Sequence, residues 1–270
     1  MKFLFFLFCF SFYQAQQIVI VDSLDNSPIA FSRIYDKNRL YIADSLGKYK
    51  FDFWPNDGIT VESGGYQSKY ITSKSSIIKL YPKINDIENV LISPLRFKKK
   101  ISLGYELSSN SIVIDKEREM AVEITNNHTK PCLVDEVIIP FRKALHNKGY
   151  LFIDFYASKD GKVGEKLNTK NYILPIYNIK SNNALKLEQK IIIEAGGSIF
   201  LAVSWIENTF SSSEVFTNKI FLFTKKKHPK STMYVRKSNY RSWDLRPFVD
   251  FGDSKETIIP AFKLLTKCLE

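Results

Sequence analysis

Residues 150–208 read YLFIDFYASKDGKVGEKLNTKNYILPIYNIKSNNALKLEQKIIIEAGGSIFLAVSWIEN. Four apolar runs broken by turn signals form the pattern of a self-folding antiparallel sheet. In Leu151–Ala157, successive side chains of a strand point to opposite faces. Leu151, Ile153 and Phe155 therefore share one face, and Phe152, Asp154 and Tyr156 share the other. Lys159-Asp160-Gly161-Lys162 follows, and Asp-Gly between apolar runs signals a hairpin, because Gly161 accepts a positive φ without a Cβ clash. Next come runs at Asn171–Asn178 and Ala184–Glu194, the latter ending at Gly196-Gly197. Pro175 lacks an N–H, so its strand is expected at an edge or beside a bulge. Ile199–Ile206 is apolar on both faces, which predicts a central strand covered on both sides, with Trp205 in the core.

The remaining composition agrees with a β protein. At 270 residues the chain holds one large or two ordinary domains. Its 44% hydrophobic and 14% aromatic content is ample for packed cores and excludes a disordered chain. Helical periodicity is scarce, and β-branched and aromatic residues dominate the apolar runs. The net charge of +11 is compatible with nucleic acid, an anionic surface or an acidic polysaccharide, or simply with a Lys-rich surface. Only Arg96–Lys100 and Lys225–Lys230 concentrate it, and no nucleic-acid-binding motif accompanies them, so no nucleic-acid partner is expected.

Residues 1–16, MKFLFFLFCFSFYQAQ, place one Lys before an apolar run and small or polar residues after it. That is the build of a secretory signal peptide, with cleavage expected near Ala15; the run is short for a bilayer span. Phe8 before Cys9 is too bulky for a lipobox. A retained signal anchor is the alternative; no transmembrane segment is expected in the mature chain. Export would leave Cys132 and Cys268, either as one disulfide or as two buried free thiols. The second reading is preferred, since Cys268 lies close to a frayed terminus and nothing places it near Cys132.

Residues 17–81 read as about seven short strands in a small Greek-key sandwich. In the segment Leu40–Phe53, Lys48, Lys50 and Asp52 are expected to face water and Tyr49, Phe51 and Phe53 the core. The series VDSLDNSPIAFSRIY, ADSLGKYKF and ITVESGGYQSKYI resembles the carboxypeptidase-regulatory-like (transthyretin-like) domain, which is common in exported proteins of Bacteroidetes. Asp22, Pro28, Ala30, Asp44, Gly47, Tyr49, Phe51, Ser63, Gly65 and Tyr66 carry the resemblance; Ala43 stands where the family often has Thr. The resemblance implies a structural, non-catalytic domain. Gly47 and Gly65 are read as turn glycines and Tyr66 as a packing residue.

Residues 82–100 read as a linker, and 101–270 as a larger jelly-roll-like antiparallel sandwich of about ten strands. The expected fold class is thus all-β. The segment FIDFYASKDGKVGEKL with IFLAVSWIE resembles a region behind the regulatory-like domain in uncharacterised exported proteins. Val163 replaces a usual Pro there and Ser204 a usual Glu, and the match implies fold and compartment only.

Chemistry is harder to find. None of His128, His146 and His228 sits in HxxE or HExxH spacing, so no zinc site is expected. Asp250 with residues 251–256 lacks a full calcium-ligand loop. No GxSxG, paired-carboxylate, phosphate-loop or dinucleotide signature is present, so no cofactor and no enzyme activity are expected. Exposed aromatics remain: Tyr240 and Trp243, in SNYRSWDLRPF, are read either as a sugar-binding platform or as packing on the sheet edge. The expectation is an exported, non-enzymatic envelope protein binding a protein or glycan partner in the periplasm, at the outer membrane or on the cell surface. The alternatives are a carbohydrate-binding or glycan-active protein using Tyr240–Trp243, and a regulatory subunit for an envelope protease or receptor.

Overall fold

The computed structural model describes residues 16–37, 39–83, 96–107, 111–115, 118–144, 149–207, 219–226, 233–237, 243–245 and 258–270. Residues 1–15 of the signal-peptide reading over 1–16, the calcium loop at 251–256 and Tyr240 lie outside them, while Gln16 opens the first strand. Among the described residues the protein is all-β, apart from one 3-10 turn at Ile176–Asn178. Among the described residues no helix is long and apolar enough to cross a membrane.

The first unit holds seven strands: β1 (Gln16–Asp22), β2 (Arg33–Tyr35), β3 (Leu40–Ile42), β4 (Lys48–Phe51), β5 (Ile59–Glu62), β6 (Lys69–Ile71) and β7 (Ile77–Leu80). They form two sheets, β4-β1-β7 and β3-β2-β5-β6. All pairs are antiparallel except β1 with β7. Period-2 alternation fills the space between the sheets: Ile18 and Ile20 from β1, Ile34 from β2, Ile59 and Val61 from β5, and Ile78 and Leu80 from β7. The alternation in β4 stops at Phe51, where the chain bends. Phe53 is therefore exposed rather than in the core, and Trp54 packs against Phe51 in its place. Gly47, at φ +68°, makes the turn before β4; a Cβ there would lie 2.5 Å from the Ile20 carbonyl oxygen.

The second unit begins earlier than a linker over 82–100 implies, because the basic run belongs to a strand. Among the described residues its strands are β8 (Phe97–Gly104), β9 (Ser111–Asp115), β10 (Arg118–Thr125), β11 (Cys132–Ala144), β12 (Tyr150–Lys159), β13 (Lys162–Lys166), β14 (Tyr172–Pro175), β15 (Asn182–Lys186), β16 (Ile192–Ile193), β17 (Ser198–Ile206), β18 (Lys219–Lys226), β19 (Met233–Lys237), β20 (Asp244–Leu245), β21 (Ile258–Pro260) and β22 (Lys263–Leu269). One sheet has the order β13-β12-β17-β10-β19-β20, with β14 also on β12. The other has the order β21-β18-β11-β22-β8, with β15 and β16 on β11 and β9 on β18. Among the described residues β8 pairs only with β22. Its exposed Lys98, Lys99 and Lys100 discourage a further strand from adding to that edge.

β17 is central and buried on both faces. Ile199, Leu201, Val203 and Trp205 join the core between the sheets, while Phe200, Ala202, Ser204 and Ile206 point outward. β12 alternates likewise, with Leu151, Ile153 and Phe155 inside. Asp160 (φ 53°) and Gly161 (φ 69°) close a two-residue turn between β12 and β13. Pro175 ends β14, an edge strand, where its missing N–H costs no ladder bond.

The cysteines correct the expectation of free thiols: Cys132 and Cys268 form a disulfide. They are directly opposite in the antiparallel pairing of β11 with β22, and Cys268 is a buried strand residue rather than part of a frayed end.

The two units dock face to face. Leu40 and Ile42 of β3 and Phe152 of β12 with Ile206 of β17 form one buried cluster, flanked by Phe31, Tyr35, Tyr150 and Ile173. The Asn171 side chain fastens the same junction. Its amide donates to the Ser63 hydroxyl (2.9 Å) and the Ala30 carbonyl (3.2 Å), and its oxygen accepts from the Gly64 N–H (3.0 Å). A Cβ on Gly64 or Gly65 would collide with the backbone of Lys170 or Thr169, so the glycine pair permits this approach.

Candidate functional site

A cleft of about 230 Å³ opens along this junction. β2 and β5 contribute Arg33 and Glu62, which are cross-strand neighbours; the segment after β5 adds Ser63, Tyr66 and Ser68, and Lys83 comes from beyond β7. From the second unit come Tyr156 of β12, Lys166 of β13, Asn171 and Arg236 of β19. The alternation of each strand sets these positions. Ile34 points into the first core, so Arg33 must face the second unit. Ile153 and Phe155 point into the second core, so Asp154 and Tyr156 must face the first.

Two linked charge clusters floor the cleft. In one, Arg33 (4% exposed) and Lys166 share Asp154 (1% exposed), at 2.5 Å and 2.7 Å. The Arg33 guanidinium also lies 4.4 Å from the Phe152 ring centroid. In the other, Arg236 Nε donates to Glu119 Oε2 (2.7 Å) and its Nη2 to the Tyr156 hydroxyl (2.8 Å). That hydroxyl donates in turn to Glu119 Oε1 (2.8 Å). Arg33 Nε is buried with no hydrogen-bond partner.

Burial alone would raise the Asp154 carboxyl, but Arg33 and then Lys166 outweigh it and hold it at about 2. Burial, reinforced by the neighbouring Arg33 charge, lowers the Lys166 ammonium against the pull of Asp154. Burial, with Glu119 and Asp154 nearby, pushes the Tyr156 phenol up and keeps it a neutral donor. The cleft therefore presents cations, hydroxyls and an amide. The Glu62 carboxylate stands on the same wall, so the lining combines an excess of cationic donors with one acceptor, and it holds no histidine or thiol. Among the described residues no group of three His, Cys, Asp or Glu is arranged to hold a metal.

Of the residues singled out in the sequence, Trp243 packs edge-on against Tyr156 (centroids 5.4 Å apart) and beneath the Arg236 guanidinium at 4.2 Å. One face of its ring is thus occupied. Tyr66 lines the cleft and donates its hydroxyl to Asp22 (2.9 Å). Gly65 contacts the second unit, and Gly47 and Gly161 make turns. The Gly161 carbonyl accepts from the Tyr234 hydroxyl (2.9 Å). Trp205 is fully buried in the large core.

Sequence reading missed Arg33, Glu119, Lys166 and Arg236. Asp154 carried the one usable signal: a lone carboxylate flanked on its own face by Phe152 and Tyr156 implies a buried cation nearby. Compared with family models, with curated proteins and with solved structures, the chain matches none of them.

Proposed function

We propose that this is an exported, non-enzymatic cell-envelope protein whose two β-sandwiches together bind a protein or glycan partner. The cleft carries the reading: two units contribute opposing walls of one polar recess, and its donors suit recognition rather than bond-making. Export is supported by the apolar leader and by the Cys132–Cys268 disulfide, a bond that persists in oxidising compartments. The carboxypeptidase-regulatory-like reading of residues 17–81 is part of the proposal and is supported by the two-sheet arrangement of β1 to β7. In the glycan reading the cleft takes the place of an open aromatic platform, because Arg236 covers one face of Trp243.

The test is fractionation of the producing cell, followed by photo-crosslinking from Ser68 at the cleft. The expected result is an oxidised protein in the envelope fraction, cross-linked to one defined partner in a Lys83-dependent way. Reduced protein confined to the cytoplasm would overturn it.

A further inference from the structure

Charge in the cleft does not balance. Arg33, Lys83, Lys166 and Arg236 are four cations; Glu62, Asp154 and Glu119 are three carboxylates, leaving one positive charge over. Asp154 and Glu119 are consumed by the floor, and among the described residues neither Glu62 nor Lys83 has an ion-pair partner. A cationic excess beside buried ion pairs favours a monoanion over a neutral ligand. Glu62 on the wall disfavours a bare inorganic anion, which would meet it with like charge. A ligand that sets its own hydroxyl donors against Glu62, while its carboxylate faces the cations, satisfies both. At about 230 Å³ the space is smaller than the roughly 300–1,000 Å³ of drug-sized sites, and it suits a single ring.

We propose that the junction cleft binds a sugar acid: the carboxylate of a uronic acid residue lies against Arg33, Lys166 and Arg236, and its hydroxyls against Glu62 and Ser68. This rests on the reading of the chain as a binding protein and narrows the partner to an acidic glycan.

Calorimetric titration of the whole exported chain with glucuronate and galacturonate tests it, with glucose and sodium sulfate as comparators. A uronate is expected to bind with a dissociation constant of about a millimolar, and glucose and sulfate each at least about tenfold more weakly. Lys83→Glu, an exposed change that leaves the floor intact, should weaken uronate binding by about tenfold. Lys166→Met should abolish it, with a melting curve showing that this variant is folded. Glucose binding as tightly as a uronate, sulfate binding as tightly, or no uronate binding by the folded protein would each overturn the proposal. Retained cross-linking of an envelope partner without uronate binding would remove the sugar acid and leave the proposed function standing.

Discussion

Arg33 of the first sandwich donates to the carboxylate of Asp154 in the second, 121 residues along the chain and 2.5 Å away, with both side chains almost wholly buried. Lys166 holds the other oxygen of the same carboxylate. Removing one member leaves uncompensated charge in a largely buried site. Arg33→Met and Asp154→Asn should each cost about 3–5 kcal/mol, while the double variant should cost less than their sum. Urea denaturation of the three variants measures this; a double variant costing the full sum would show the pair uncoupled.

The same carboxyl sets an acid limit. In the unfolded chain it takes up its proton near the usual 3.8; in the folded protein it does so only at about 2. Between those values the unfolded state holds more protons, so stability falls as pH drops from about 4 towards 2. The loss is about 2 kcal/mol. Urea midpoints measured from pH 5 to 2 should show this slope in the parent and a shallower one in Asp154→Asn.

Reduction should destabilise the second unit. Cys132 and Cys268 close a loop spanning 136 residues, and removing such a bridge costs about 2–5 kcal/mol. The native protein should leave both thiols unalkylated until a reductant is added, and Cys132→Ser with Cys268→Ser should melt at a lower temperature than the parent.

Two glycines of similar backbone conformation separate turn strain from docking. Gly65 (φ +81°) and Gly161 (φ +69°) both occupy the left-handed region. A Cβ on Gly161 meets nothing within 4 Å, whereas one on Gly65 lands on the Thr169 carbonyl. Gly161→Ala should cost about 1–2 kcal/mol. Gly65→Ala should cost more and should expose the junction to protease. Equal costs would mean that Gly65 serves only its own turn.

Sequence period made the β-class legible, because alternation and turn residues are local. Leu151, Ile153 and Phe155 could be assigned a common face from spacing alone, and Ile199–Ile206 a doubly covered position. Asp160-Gly161 likewise announced its own turn. What spacing could not supply was partnership between distant strands. The facing of Cys132 and Cys268 depends on β11 and β22 being neighbours, which no local pattern encodes. Phe53 failed for the opposite reason: the period was read one step past the end of β4. The cleft was illegible because its residues come from β2, β5, β12, β13 and β19, and each looks like an ordinary surface charge until the two sheets meet.

The position of β22 bears on how the protein assembles. It inserts between β11 and β8, strands that precede it by more than a hundred residues, so the larger sheet cannot close stepwise from one end. Until β22 arrives, β11 and β8 each present an unmet rim of amide and carbonyl groups, open to pairing with any other extended chain. So remote a pairing makes closure slow, and the nascent molecule must be kept from its own kind until then. The Cys132–Cys268 bond ties β22 to β11 across that pairing.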